Sequence, residues 1–148
     1  MTLQNPVETL GIVTYLMMRS PAHHDMTIDE VRRMVLPAMD ARLAVTATTK
    51  AGADGVSGGG VPLAFALFAR VDDGWDARLR DPQFRLADMP PDAWTSGDNR
   101  WLVEALGVGD AAPRFALAAA RTVFSPGTTL NLRLRGKDGT IEIGAREV

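Results

Sequence analysis

The chain has 148 residues, 46% hydrophobic and 23% charged, with 16 basic and 18 acidic side chains for a net charge of −2. That balance belongs to a soluble globular protein of one domain, 1–148, with no general attraction for nucleic acid. The lack of any cysteine excludes disulfides, thiolate metal sites and thioesters on a protein sulfur. Met1 to Pro6 lacks the basic cluster and apolar run of an export signal, and no apolar stretch approaches a membrane span, so a cytoplasmic chain is expected.

Asn5, Pro6 and Glu8 form a helix start, with a capping side chain, a proline at the first helical position and an acid in the first turn. Leu10, Val13, Thr14 and Met17 share a stripe, so the helix is predicted to run to about Arg19, where Ser20-Pro21 stops it. Thr27 followed by Glu30 is a capping box opening a second helix to Leu36, which Pro37 is expected to close or bend. Arg42 to Lys50 reads as a strand, Ala51 to Gly60 as a glycine-rich hairpin connection, and Val61 to Val71 as a buried central strand. Gly52 to Gly60 matches neither a phosphate-loop nor a dinucleotide pattern.

Asp72 to Ala93 is expected to hold a short helix and irregular chain, and Asn99 to Leu106 a further strand. Asp110 is placed to cap a helix running to Val123. Thr129 to Leu134 and Thr140 to Ile143, joined through Lys137-Asp138-Gly139, form a closing hairpin. Two helices, two strands, an irregular crossover, a strand, a helix and a hairpin predict an α/β (α+β) fold with a mixed sheet and helices on its faces.

The chemistry is concentrated in two segments. The chain's two histidines, His23 and His24, follow the first helix, so imidazole chemistry near neutral pH is confined there. Asp98 stands in a Ser-Gly-Asp turn just before an apolar run. Together they suggest a base and the carboxylate that orients it. A histidine past a helix end is also often a solvated partner of the helix dipole, and Ser-Gly-Asp is ordinary turn chemistry. No metal site is expected from His23, His24 and Asp25, because adjacent histidines rarely converge and no further ligands stand at a suitable spacing.

Met17, Met18, Met26, Met34 and Met39 could line an acyl tunnel, although their helical spacing favours core packing. Lysine occurs only at Lys50 and Lys137, the other basic residues being arginine, whose planar fork suits carboxylates and phosphates. A high-GC coding bias produces the same excess.

Leu10-Gly11-Ile12-Val13-Thr14-Tyr15-Leu16, Ser20-Pro21-Ala22-His23, Val35-Leu36-Pro37-Ala38 and Trp94-Thr95-Ser96-Gly97-Asp98 with Trp101 resemble the RTX toxin-activating lysine acyltransferases, in that order and at similar separations. The resemblance extends from Asn5 to about Gly144. It implies a fold like that of the GCN5-related N-acetyltransferases, with a central, mostly antiparallel sheet flanked by helices. It also implies transfer of a fatty acyl group from acyl carrier protein to internal lysines of an RTX-type protoxin, with no permanently bound cofactor. Carried over by position, the family's essential histidine falls on His23, its aspartate on Asp98 and its serine on Ser20, leaving His24 outside the match.

On this reading His23 takes the proton of the lysine amine, Asp98 fixes its tautomer, and Ser20 supports the ring, binds the thioester oxygen or caps the first helix. The acyl carrier, acidic and bearing a phosphate on its arm, is expected to dock on Arg114 and Arg121, seven apart on one helical face, or on Arg32 and Arg33. Two rivals stand beside it. One is a coenzyme A-dependent small-molecule N-acetyltransferase, only weakly echoed by Gly107-Val108-Gly109; the other is a non-catalytic module binding acyl carrier or toxin. A homodimer through the closing hairpin is left open.

Overall fold

The computed structural model describes residues 5–49, 60–136 and 138–148. Among these, four α-helices and two short 3-10 turns surround an open five-stranded sheet. The connection expected over Ala51–Gly60 lies, up to residue 59, outside the described residues, as do Lys50 and Lys137.

Helix α1 (Pro6–Met18) starts as its sequence demands: the Asn5 side chain accepts from the Glu8 amide at 2.8 Å and Pro6 occupies the first turn. Helix α2 (Ile28–Asp40) opens with both bonds of the capping box, Thr27 N to Glu30 and Glu30 N to Thr27. Pro37 does not close it. The helix continues to Asp40, because a proline in the last turn forfeits one amide bond and leaves the bonds that follow it intact. The end is sealed beyond Pro37 by Ala41 N to Pro37 O and Leu43 N to Ala38 O, with Arg42 in the left-handed region at φ 60°. That turn delays strand β1 (Ala44–Thr48), which is shorter than the expected Arg42–Lys50.

Strand β2 (Pro62–Val71) is the buried run anticipated. It pairs antiparallel with β1 and with β3 (Asn99–Gly107), while β4 (Thr129–Arg135) and β5 (Ile141–Glu147) form the closing hairpin. The β3–β4 pair is parallel and registered at only two positions, Trp101 with Asn131 and Leu102 with Leu132. The sheet is therefore mixed and mostly antiparallel, in the order β1-β2-β3-β4-β5.

Helix α3 (Asp73–Leu79), capped by Asp72, and 3-10 turns at Leu86–Asp88 and Pro91–Thr95 make up the crossover. Helix α4 (Ala111–Val123) packs on β2 and β3, and Phe124 beyond its end meets Phe68 edge-on at 5.7 Å. Asp110 precedes α4 but its side chain does not cap it, since its backbone (φ −97°, ψ 17°) is not the extended one that aims a side chain at the first amides. Trp94, Trp101, Phe65, Phe68 and Leu67 are fully buried at the centre.

A β-bulge decides what the sheet presents. Leu67 pairs with Glu104 but the next residue, Phe68, pairs with Leu102, so Val103 is the extra residue of β3. Strict alternation would put Glu104 on the same face as Leu102 and Arg100. The bulge moves it to the opposite face, with Leu67.

Candidate active site

Ser20, His23 and Glu104 are joined by short bonds. The turn after α1 folds back through His23 N to Ser20 O at 3.0 Å, which brings the serine hydroxyl to 2.8 Å from His23 Nδ1. The other ring nitrogen, Nε2, lies 2.9 Å from Glu104 Oε2. The His23 side chain is 1% exposed and that of Glu104 6%, so the pair is shielded from water on nearly every side. Glu104 Oε1 accepts from the Ala105 amide at 3.3 Å, and Arg135 Nη2 stands 3.5 Å from Oε2.

These contacts assign the protons. A carboxylate can only accept, so an ionised Glu104 requires Nε2 to carry hydrogen. The lone pair of the neutral ring then sits on Nδ1 and accepts from the Ser20 hydroxyl. When the ring gains a proton, its positive charge develops against Glu104 in a site of low polarity, where the attraction is strongest.

The constellation borders a cleft of about 690 Å³. Ala22, His23 and Met26 form one wall, Val103 and Glu104 the floor, and the Pro82–Ala87 segment the opposite side. Arg133, 5% exposed, fixes that segment by donating to the carbonyls of Leu79, Asp81 (3.0 Å) and Phe84 (2.9 Å). Burial pushes the pKa of its guanidinium below its usual value, an effect opposed by the charge of Glu104. Met26 and Met34 line the cleft, whereas Met17 is buried in the core and Met18 points outward at 67% exposure.

Asp98 does not meet His23. Its side chain is exposed and makes no hydrogen bond or ion pair among the described residues; only its carbonyl is engaged, by Arg100. It precedes β3, six residues before Glu104 and about 20 Å away at the usual rise per residue. The carboxylate at the imidazole is Glu104, and the expectation for Asp98 as orienter is corrected accordingly.

The Trp94–Asp98 segment builds a corner instead. Trp94 is fully buried, Ser96 Oγ accepts from the Asp72 amide and donates to the Ala93 carbonyl, and Gly97 N bonds Arg70 O. Sequence offered one signal for Glu104: a lone carboxylate inside the apolar run Trp101-Leu102-Val103-Glu104-Ala105-Leu106.

His24 is exposed and takes no part in the constellation. Arg114 and Arg121 are exposed on α4 and form no ion pair among the described residues. Arg32 and Arg33 are both paired with Asp29 on their own helix.

Fold and site thus define an open α/β sheet carrying a buried, hydrogen-bonded Ser–His–Glu array beside a cleft. The chain belongs to the RTX toxin acyltransferase family, whose model matches residues 2–143. It is 29% identical over 109 residues to the RTX-I toxin-activating lysine-acyltransferase ApxIC of Actinobacillus pleuropneumoniae, covering 73% of this chain and 56% of that protein. It is also 24% identical over 102 residues to the leukotoxin-activating lysine-acyltransferase LktC of Pasteurella haemolytica-like sp. (strain 5943B), covering 68% of this chain and 54% of that one. The chain spans about half the length of these curated relatives. No helix among the described residues is long and apolar enough to cross a membrane.

Proposed function

We propose that the chain is a protein-lysine acyltransferase that moves a fatty acyl group from acyl carrier protein to internal lysines of an RTX-type protoxin in the cytoplasm. Family membership supports the reaction class. The observation that carries the mechanism is the Ser20–His23–Glu104 array, of which His23 and Glu104 line the cleft.

Lysine is almost wholly protonated at neutral pH, with a pKa of about 10.4, so transfer needs a base at the amine. The lysine reacts through its minor neutral form, the ammonium proton having passed to solvent; as that amine nitrogen attacks the thioester carbonyl, one of its remaining protons passes to the Ser20 oxygen while the Ser20 proton passes to His23 Nδ1. Glu104 stabilises the resulting imidazolium. Collapse of the tetrahedral intermediate forms the amide and expels the carrier's thiolate, which takes the proton back from His23.

Met26 and Met34 offer the acyl chain a deformable apolar wall. Arg114 and Arg121, exposed and unpaired among the described residues, are the proposed docking points for the acidic carrier. We also read the fold as similar to the GCN5-related N-acetyltransferases, supported by the parallel β3–β4 pair whose short ladder ends just before the site.

The test uses purified protein, acyl-loaded carrier and a lysine-bearing RTX segment, read by the mass increase of the acceptor. The parent and His24→Ala should both add one acyl group per acceptor lysine, and His23→Ala should add none. Transfer by His23→Ala at the parent rate would refute the assignment.

A further inference from the structure

A second cleft, of about 860 Å³, shares no residue with the first. Three arginines line it: Arg42 in the turn after α2, Arg70 on β2 and Arg100 on β3. Arg70 and Arg100 are register partners on adjacent antiparallel strands. They share the face of Phe68 and Leu102, whereas the bulge sends Glu104 to the other. Directly opposed residues stand about 5 Å apart at Cβ, and like charges in that position repel.

Among the described residues no carboxylate pairs with any of the three arginines. The contacts they make are weakly compensating: Arg100 donates to the Asp98 carbonyl at 3.4 Å and lies 6.0 Å from the Phe124 ring centre. Arg70 and Arg100 are half-buried, so water screens them incompletely. Arg42 adds a third guanidinium while holding a left-handed φ of 60°, a position that favours glycine after a helix. The remaining wall is mixed, with Met39, Leu43, Val45, Val123 and Phe124 on its apolar part and Thr9, Thr46, Thr122 and Ser125 on its polar part.

Three guanidiniums with no carboxylate partner among the described residues, beside a partly apolar wall in a cleft of ligand size, fit one chemistry. We propose that this cleft binds a small amphipathic anion, an alkyl or aryl group bearing a phosphate or carboxylate, with its charged end on Arg42, Arg70 and Arg100 and its apolar part against Val123 and Phe124. The site stands apart from the acyl-transfer centre and requires neither His23 nor Glu104.

Calorimetry and thermal melting of the full chain test it with octyl phosphate, octanoate, inorganic phosphate and the uncharged octyl glucoside, all below micelle formation. Octyl phosphate, octanoate or both should bind one to one, more tightly than inorganic phosphate and several-fold more weakly at high salt; which of the two binds identifies the head group. Octyl glucoside should not bind. The Arg70→Gln/Arg100→Gln double variant should bind about tenfold more weakly or worse, and without ligand it should melt no lower than the parent because the opposed charges are gone.

Arg42→Gly relieves the left-handed residue, so it should melt at or above the parent temperature and still bind more weakly. His23→Ala should bind as the parent does. The proposal is overturned if neither octyl anion binds the parent, if octyl glucoside binds equally, if the double variant and Arg42→Gly retain full affinity, or if His23→Ala loses it. None of these results depends on whether the chain transfers acyl groups.

Discussion

Replacing Glu104 by glutamine changes charge and hydrogen-bond polarity with almost no change in volume. In the parent, one carboxylate oxygen accepts from the Ala105 amide and the other faces His23 Nε2 and Arg135 Nη2. Glutamine must turn its amide nitrogen toward one of these donors. Turned to His23, it forces hydrogen onto Nδ1 and removes the lone pair that Ser20 meets; turned to Ala105, it sets N–H against N–H. In either orientation the imidazolium loses its counter-charge.

Opposite unit charges about 4 Å apart attract by about 4 kcal/mol at an effective dielectric constant near 20. Lost from the transition state, that is about a thousandfold in rate. The assay is single-turnover acyl transfer followed by acceptor mass, with circular dichroism to establish that the variant is folded. Glu104→Gln should fall by about three orders of magnitude, while Asp98→Asn should stay within a factor of two or so of the parent, its side chain being exposed and unbonded. A Glu104→Gln rate within tenfold of the parent would show that the counter-charge is not used.

Two glycines should respond oppositely to alanine. A Cβ at Gly97 would stand 2.6 Å from the Asp72 backbone, so Gly97→Ala should open the corner and lower the melting temperature markedly, whereas Gly11, with nothing within 4 Å in mid-helix, should gain about 0.5–1 kcal/mol in denaturant unfolding. The two buried tryptophans form a second contrast. Trp101 Nε1 donates to Asp76 at 2.9 Å while Trp94 Nε1 has no partner among the described residues, so by the same measurement Trp101→Phe should cost about 1–3 kcal/mol more than Trp94→Phe.

The acid limb of stability is predictable in sign. The Thr27 backbone bond, its hydroxyl and Arg85 hold the Glu30 carboxyl below its usual 4.5. A depressed carboxyl contributes stability above its unfolded pKa and loses it as pH falls through the lower folded value. Glu30→Gln should therefore flatten the fall in melting temperature below about pH 4.5 relative to the parent.

Sequence by itself determined what is local. The caps at Asn5 and Thr27, the apolar strand ending at Val71 and the closing hairpin all follow from residues within a few positions of one another. The meeting of Ser20 with His23 belongs here too, because a single turn three residues long makes it. Pro37 and Asp110 show how far such rules reach: each has the residue type of a boundary, yet the backbone around it settles the outcome.

Only the tertiary structure decided which carboxylate serves His23. Asp98 stands in the turn just before β3 and Glu104 within that strand, and both are acidic residues in reasonable contexts. The choice rests on a cross-strand register and one extra residue, Val103, that turns Glu104 through the sheet toward an imidazole 81 positions away in sequence. The same register sets Arg70 opposite Arg100. Helix caps and short turns are fixed by neighbours along the chain, whereas a bulge exists only once two strands have paired, so no spacing within one strand can announce it.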